Sequence, residues 1–276
     1  VNSDVVIPIT LRFSPLFRHN ARMNHTQKRA LVTGASEGIG RVFALRLAQK
    51  GYSLTIAARN SERLDSLLGE LAGTGHRKVV ADLSSSAGIA AIVRELTEGD
   101  RTHLLVNNAG YGLLGDFSEI PYAKHRDMIH LNILALVELS HAFLSRAGRG
   151  DGIIQLSSAL SFLPMPRQPV YSATKAFVTS FSESLWYQSR KKGIHILNLC
   201  PGSTATLFPE RSGGLSHKIP KFVTESPEEV VDFALHSYER KIGPTIVSGW
   251  KNRISVFLFR LLTRKQLIKM MGSIKQ

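Results

Sequence analysis

The chain has one cysteine, Cys200, and therefore no partner for an intrachain disulfide. Stability must come from packing, and a lone thiol fits a reducing compartment. No run is apolar and long enough for a membrane span, which takes about 20 residues. No repeat at solenoid spacing and no low-complexity tract is present, which excludes a stacked-repeat architecture. Acid is missing from one stretch. Between Arg240 and Gln276 there is no Asp or Glu, while Arg240, Lys241, Lys251, Arg253, Arg260, Arg264, Lys265, Lys269 and Lys275 are basic. That segment carries nine of the net +14 charges, so the body is only mildly basic. Nothing beyond the charge points to nucleic acid, and no metal is expected. Residues 1–22 lack a continuous apolar region and a cleavage site, which argues against a secretory signal. Met23 is followed at once by the start of a domain pattern. Residues 1–27 are expected to be an arm or a leader.

What is present is regular alternation. A chain of 276 residues fits one large α/β domain. Apolar runs at 29–32, 53–58, 78–81, 103–106, 152–156, 195–199 and 245–247 read as strands. Helical patterns separate them. Ser61 is placed to cap the helix that carries Leu64, Leu67, Leu68 and Leu71. A long helix follows Pro121 and runs to about Ser145. Ser226-Pro227-Glu228-Glu229 is a strong helix start. Strands and helices in this alternation predict parallel βαβ units with helices on both faces.

Thr33-Gly34-Ala35-Ser36-Glu37-Gly38-Ile39-Gly40 follows the first strand and opens a helix. Glycines there let backbone approach a pyrophosphate, and the helix N-terminus offers N–H groups and a positive dipole. NAD sites carry an acid at the end of strand two to hold the ribose hydroxyls. Here Ala58 and Arg59 stand there. A guanidinium can grip a 2′-phosphate, so NADP(H) is the expected cofactor; the alternative is a merely solvated arginine. Asp82, before Leu83, can accept from an adenine amino group or serve as a turn residue. Asn107-Asn108-Ala109-Gly110 can floor the cofactor or form an ordinary strand-end turn.

Tyr171 and Lys175 lie four apart at a helix start and share a face. Tyrosine is a poor base at neutrality, with a pKa of about 10. A nearby lysine cation is expected to favour the phenolate. The pair can then pass a proton to or from a carbonyl oxygen. Ser157 and Ser158 end strand five, where a hydroxyl can orient that oxygen. Asn132 sits among apolar residues and needs a partner: a backbone carbonyl, a water in a proton relay, or a simple core hydrogen bond.

Taken in order, the Thr33–Gly40 loop, Asp82, Asn107–Gly110, Asn132, Ser158, Tyr171 with Lys175, and Pro201-Gly202 resemble the short-chain dehydrogenase/reductases over residues 28–248. Within them the chain looks most like bacterial reductases related to ketoacyl and hydroxysteroid reductases. The resemblance implies a doubly wound Rossmann-type parallel sheet of about seven strands and a catalytic tetrad of Asn132, Ser158, Tyr171 and Lys175. It selects Ser158 over Ser157 by its spacing from the tyrosine. It implies cofactor contacts from Gly34, Ser36, Gly38, Ile39, Gly40, Arg59, Asp82, Leu83, Asn108, Ala109, Gly110, Tyr171, Lys175, Pro201, Gly202 and Thr206. One position departs from the pattern. Glu37 stands where NADP-binding members often carry a base.

The catalytic domain is expected over 28–249, with a lid over about 203–225 that includes Phe208, Arg211, His217 and Ile219. Apolar lid residues favour a lipophilic substrate. Residues 250–276 read as a basic amphipathic helix, with Ile254, Phe257, Leu258, Leu261 and Leu262 in one stripe. Three roles stand open for it: contact with an anionic membrane, a cover over the pocket or subunit contact, or ordinary packing on the body. The expected activity is carbonyl–alcohol interconversion with NADP(H), in a cytoplasmic enzyme with possible peripheral membrane contact. The resemblance also implies a homodimer or homotetramer through the helices at 122–145 and 171–191. The rivals are an epimerase or dehydratase, and a non-catalytic NADP(H)-binding regulator or scaffold.

Overall fold

The computed structural model describes residues 27–208, 212–213 and 224–273. The arm at 1–26 and the lid positions Arg211, His217 and Ile219 lie outside the described residues.

Seven parallel strands form one sheet in the order β3-β2-β1-β4-β5-β6-β7. They are β1 (Arg29–Thr33), β2 (Ser53–Ala58), β3 (Arg77–Val80), β4 (Leu104–Asn107), β5 (Gly152–Leu156), β6 (His195–Cys200) and β7 (Thr245–Val247). The strands read as continuous apolar runs because both faces are covered. Alternate side chains still serve opposite layers. Ala30 and Val32 enter one core with Phe43, Leu47 and Val230. Leu31, between them, enters the other with Ile92, Leu139 and Ile153. Each fully buried leucine or isoleucine contributes about 1.5–3 kcal/mol.

The helices are α1 (Gly38–Gln49), α2 (Ser61–Glu70), α3 (Ser86–Thr97), α4 (Tyr122–Ile129), α5 (Leu136–Leu144), α6 (Pro169–Ser189), α7 (Pro227–Glu239), α8 (Trp250–Phe259) and α9 (Arg264–Ser273). Asn60, not Ser61, caps α2, its side chain accepting from Arg63 N–H at 2.8 Å. Ser226 and Glu229 form the reciprocal capping box at the start of α7. A π-helical segment, His130–Ala135, joins α4 to α5. The continuous helix Tyr122–Leu144 is long and apolar enough to cross a membrane, contrary to the sequence expectation that no such run exists. It is a packed helix of the domain all the same: Met128, Ala135, Leu139 and Phe143 are buried.

The basic amphipathic C-terminal helix is present as α8, and a second helix, α9, follows it. Leu267 and Met271 of α9 are buried against Leu163 and Met165. The stripe on α8 does not pack on the body. Trp250, Ile254, Phe257 and Leu258 are exposed, as are Leu261 and Leu262 just past the helix end, and Val256 is the buried residue of that helix.

Candidate active site

The strand order reverses between β1 and β4, and crevices at such points beyond the strand ends hold ligands in open α/β sheets. A cavity of about 1180 Å³ opens there. Its floor is braced from below. Thr33 Oγ1 accepts from the N–H groups of Asn108 and Ala109 at 3.0 and 3.1 Å. Asn108 Nδ2 donates to the carbonyls of Thr33 and Gly34 at 2.9 and 3.2 Å. These bonds tie the glycine loop to the end of β4. Gly40 shows why the loop tolerates no side chain: a Cβ would stand 2.3 Å from both Asn108 Nδ2 and Gly34 O. Gly34 adds a left-handed backbone, with φ +65°.

The structure places Gly34, Ser36, Gly38, Ile39, Arg59, Asp82, Leu83, Asn108, Ala109, Gly110, Pro201, Gly202 and Thr206 on the cavity wall with Ser158, Tyr171 and Lys175. Gly40 and Asn132 are not on the wall. Gly40 lies under the loop. Asn132 is buried behind the cavity, on the π-helical segment. Its Nδ2 donates to Tyr111 O at 3.0 Å and to Thr174 Oγ1 at 3.1 Å. Its Oδ1 accepts from Tyr111 N–H at 3.2 Å. The partner that the sequence left open is thus chiefly backbone, and the amide pins the chain after Gly110 to α6.

Helix α6 starts at Pro169, two residues before the tyrosine, so Tyr171 and Lys175 fall in its first two turns. Both are buried. Lys175 Nζ donates to Leu156 O at 2.8 Å and stands 5.8 Å from the centre of the Tyr171 ring. Burial holds the Lys175 ammonium down to about 8. Burial also pushes the Tyr171 phenol up to about 12, against the opposing pull of its hydrogen bond with Ser158. The phenol therefore stands above its ordinary value, not below it as expected from the lysine: desolvation outweighs the pull of Ser158, and Lys175 is not among the groups that shift it. A tyrosine so placed keeps its proton near neutrality and is set up as a donor. Ser157, by contrast, turns away: its Oγ donates to Lys175 O and meets Thr179 Oγ1, both at 2.9 Å.

At the far end of the cavity, Arg59 is exposed and lies 4.0 Å from Asp82. Asp82 Oδ1 also accepts from Ser84 N–H at 3.0 Å and Ser84 Oγ at 2.7 Å, the turn geometry that was its alternative reading. Burial pushes its carboxyl up, but the Ser84 bonds and Arg59 prevail and hold it below the ordinary value. Arg63, from α2, lines the same wall and pairs with Glu37. Sequence reading missed this arginine. The pair offsets the one charge that departs from the expected pattern.

The other half of the wall is apolar. Leu160, Leu163, Met165, Phe208, Val256 and Phe259 line it. Phe208 tilts onto the Tyr171 ring at 5.4 Å. Val256 and Phe259 belong to α8, so the tail completes this wall. Three carboxylates, Glu37, Asp82 and Asp127, line the cavity among the described residues, and each has an arginine partner. Cys200 is buried, and burial raises its thiol, so it is unreactive there.

The chain is similar to known proteins in sequence and fold. The family model for the short chain dehydrogenases matches residues 28–212. The very-long-chain 3-oxoacyl-CoA reductase of Anas platyrhynchos is 34% identical over 235 residues, spanning 80% of this chain and 73% of that protein. The inactive hydroxysteroid dehydrogenase-like protein 1 of Pongo abelii is 34% identical over 259 residues, spanning 91% and 77%. A short-chain dehydrogenase from Sphingobium yanoikuyae in complex with NADPH superposes with a TM-score of 0.76 at 29% identity, over 90% of this chain and 97% of that one. With its parallel sheet, braced glycine loop and buried tyrosine–lysine pair, the chain belongs to the short-chain dehydrogenase/reductase family, oxidoreductases that interconvert alcohols and carbonyl compounds.

Proposed function

We propose that this protein reduces lipophilic ketones or aldehydes with NADPH. The observation that carries the reading is the position of Tyr171. It stands with Ser158 and Lys175 where a glycine-floored polar region meets an apolar one. The glycine loop fits a dinucleotide: side chains are excluded at Gly34 and Gly40, and the α1 N-terminus presents its N–H groups. Ser36, Gly38 and Ile39 would hold the pyrophosphate, Arg59 with Arg63 the 2′-phosphate, and Asp82 with Leu83 the adenine. Lys175 and Tyr171, with Pro201, Gly202 and Thr206 of the same wall, would hold the nicotinamide end. The NADPH complex of the Sphingobium relative supports this choice of cofactor.

NADPH, when bound, supplies the hydride for the carbonyl carbon. The protein's own residues manage the oxygen. Ser158 Oγ donates a hydrogen bond to the carbonyl oxygen and holds it beside Tyr171. Tyr171 Oη delivers its proton to that oxygen as negative charge develops. Lys175, charged below about pH 8, stabilises the phenolate left behind. Asn132 acts as a positioning residue through Tyr111 and Thr174. The apolar wall excludes water and selects a lipophilic substrate.

An epimerase or dehydratase needs a second acid or base, and each lining carboxylate among the described residues is paired with an arginine. The regulator reading gains one point from the inactive relative. Against it, a binding protein has no use for a buried proton donor. We also propose self-association through the outer faces of α5 and α6 and the π-helical segment, where Leu134, Phe177 and Tyr187 are exposed. A cytoplasmic setting agrees with the free thiol. The test is turnover: purified protein with NADPH and a panel of apolar and polar carbonyl compounds, followed by nicotinamide absorbance. Oxidation with apolar ketones or aldehydes is expected. Tight NADPH binding without turnover across the panel would instead favour a regulator.

A further inference from the structure

We propose that the outward face of α8 docks on an anionic lipid bilayer. The face is one stripe: Trp250, Ile254, Phe257 and Leu258 recur at i, i+4, i+7 and i+8, and Leu261 follows in the turn that ends the helix. It is turned to solvent, with Trp250 62%, Phe257 63% and Leu261 72% exposed. Large apolar side chains set in a row on the surface mark a contact rather than a core. The flanks carry one sign of charge. Arg253, Arg260, Arg264 and Lys265 are exposed around the stripe, and no acid occurs from residue 240 onward.

Two occupants fit an apolar face of this kind, a second copy and a lipid surface. A two-fold contact would set this face against itself and bring the same arginines and lysines together. No acid in the segment can offset them. An anionic bilayer matches both features: acyl chains take the tryptophan, phenylalanines and leucines, and headgroups take the cations.

The position of α8 gives the contact a use. Asn252, Val256 and Phe259, on its other side, line the cavity. Asn252 Nδ2 donates to Glu225 Oε2 at 3.1 Å, and Glu225 N–H donates to Ser203 O at 3.0 Å. The docking helix is thus bonded to Glu225 and through it to Ser203, which lines the cavity next to Gly202. A bilayer against its outer face lies one helix diameter from the substrate wall, and a lipophilic substrate can pass between them. That use rests on the proposed reductase reading; the docking does not.

The test is co-sedimentation of the full chain, with NADPH, on vesicles of phosphatidylcholine alone and of phosphatidylcholine with phosphatidylserine. The chain is expected to pellet with the phosphatidylserine vesicles and to be released by high salt. Phe257→Asp with Leu261→Asp should cut this binding by more than about tenfold while NADPH affinity is kept. Arg264→Gln with Lys265→Gln, a pair outside the stripe, should also weaken it. No binding, or equal binding to both vesicle types, overturns the proposal. So does a dimer in solution that the Phe257 and Leu261 changes dissolve, because the face would then belong to a second copy.

Discussion

Removal of Arg59 should change which nicotinamide the protein prefers. Its guanidinium lies 4.0 Å from Asp82, and the side chain is 69% exposed. At that distance two unit charges are worth about 1 kcal/mol in water and about 4 kcal/mol in an average protein surface setting. The exposure puts the pair near the lower figure. A doubly charged 2′-phosphate held by the same guanidinium gains about twice as much, less what is lost from Asp82. Arg59→Ala should therefore cost about 1–2 kcal/mol of NADPH binding, or roughly 5–30-fold in Kd, and leave NADH nearly unchanged. Arg63 adds a second, indirect effect. Arg63→Ala removes the guanidinium that pairs with Glu37 and sets that carboxylate against the phosphate. It should weaken NADPH binding too, and Glu37→Gln in the same chain should restore part of the loss. Isothermal titration with both cofactors measures all of this. Equal losses for NADPH and NADH in Arg59→Ala would refute the assignment of Arg59 to the 2′-phosphate. Failure of Glu37→Gln to restore binding would refute the role given to the Arg63 pair.

Other consequences follow from the same geometry. Asn132→Ala leaves the Tyr111 N–H and carbonyl without their side-chain partner, while Thr174 Oγ1 keeps its bond to Tyr171 O, and should cost about 1–3 kcal/mol of stability, read by urea titration. An unchanged reductase rate in the folded variant would contradict its positioning role. Reductive kcat/KM should be level below about pH 8 and fall above it. Lys175, held down to about 8, is charged below that pH and loses its proton above it, while Tyr171, near 12, keeps its own throughout. A plateau up to pH 10 would remove Lys175 from the step. Phe259→Ala enlarges the apolar wall and should raise KM for compact ketones several-fold with little change in kcat. An equal effect on kcat would place Phe259 nearer the chemistry than its position on the wall suggests.

The seven parallel strands and the glycine loop were legible because local patterns carry them, whereas the order of the strands in the sheet was not read from the sequence. β1, the glycine loop and α1 are contiguous, and Tyr171 with Lys175 needs only helical spacing. The pairings that tune the site were not legible, because they join residues remote in sequence. Arg63 meets Glu37 across 26 positions, and Asn132 meets Thr174 across 42. The π-helical segment under Asn132 has no periodic signature of its own. The tyrosine also inverted the expectation: a charge four residues away was weighed, but the burial that raises the phenol is a property of the closed fold. The tail shows a similar limit. Its apolar stripe was plain, but periodicity does not say which way a stripe faces, and this one faces out.

The central claim is that Tyr171 gives the proton in carbonyl reduction. Single-turnover oxidation of enzyme-bound NADPH, mixed with an apolar ketone that the wild-type protein reduces, tests it most directly when Tyr171→Phe is run beside the wild type. The ring and its contact with Phe208 remain in the variant, and only the hydroxyl is lost. The account predicts NADPH affinity within a few-fold (about 1 kcal/mol) of wild type and a rate lower by roughly 10²–10⁴. A variant that binds NADPH as tightly and oxidises it as fast would contradict the claim and move the proton donor elsewhere.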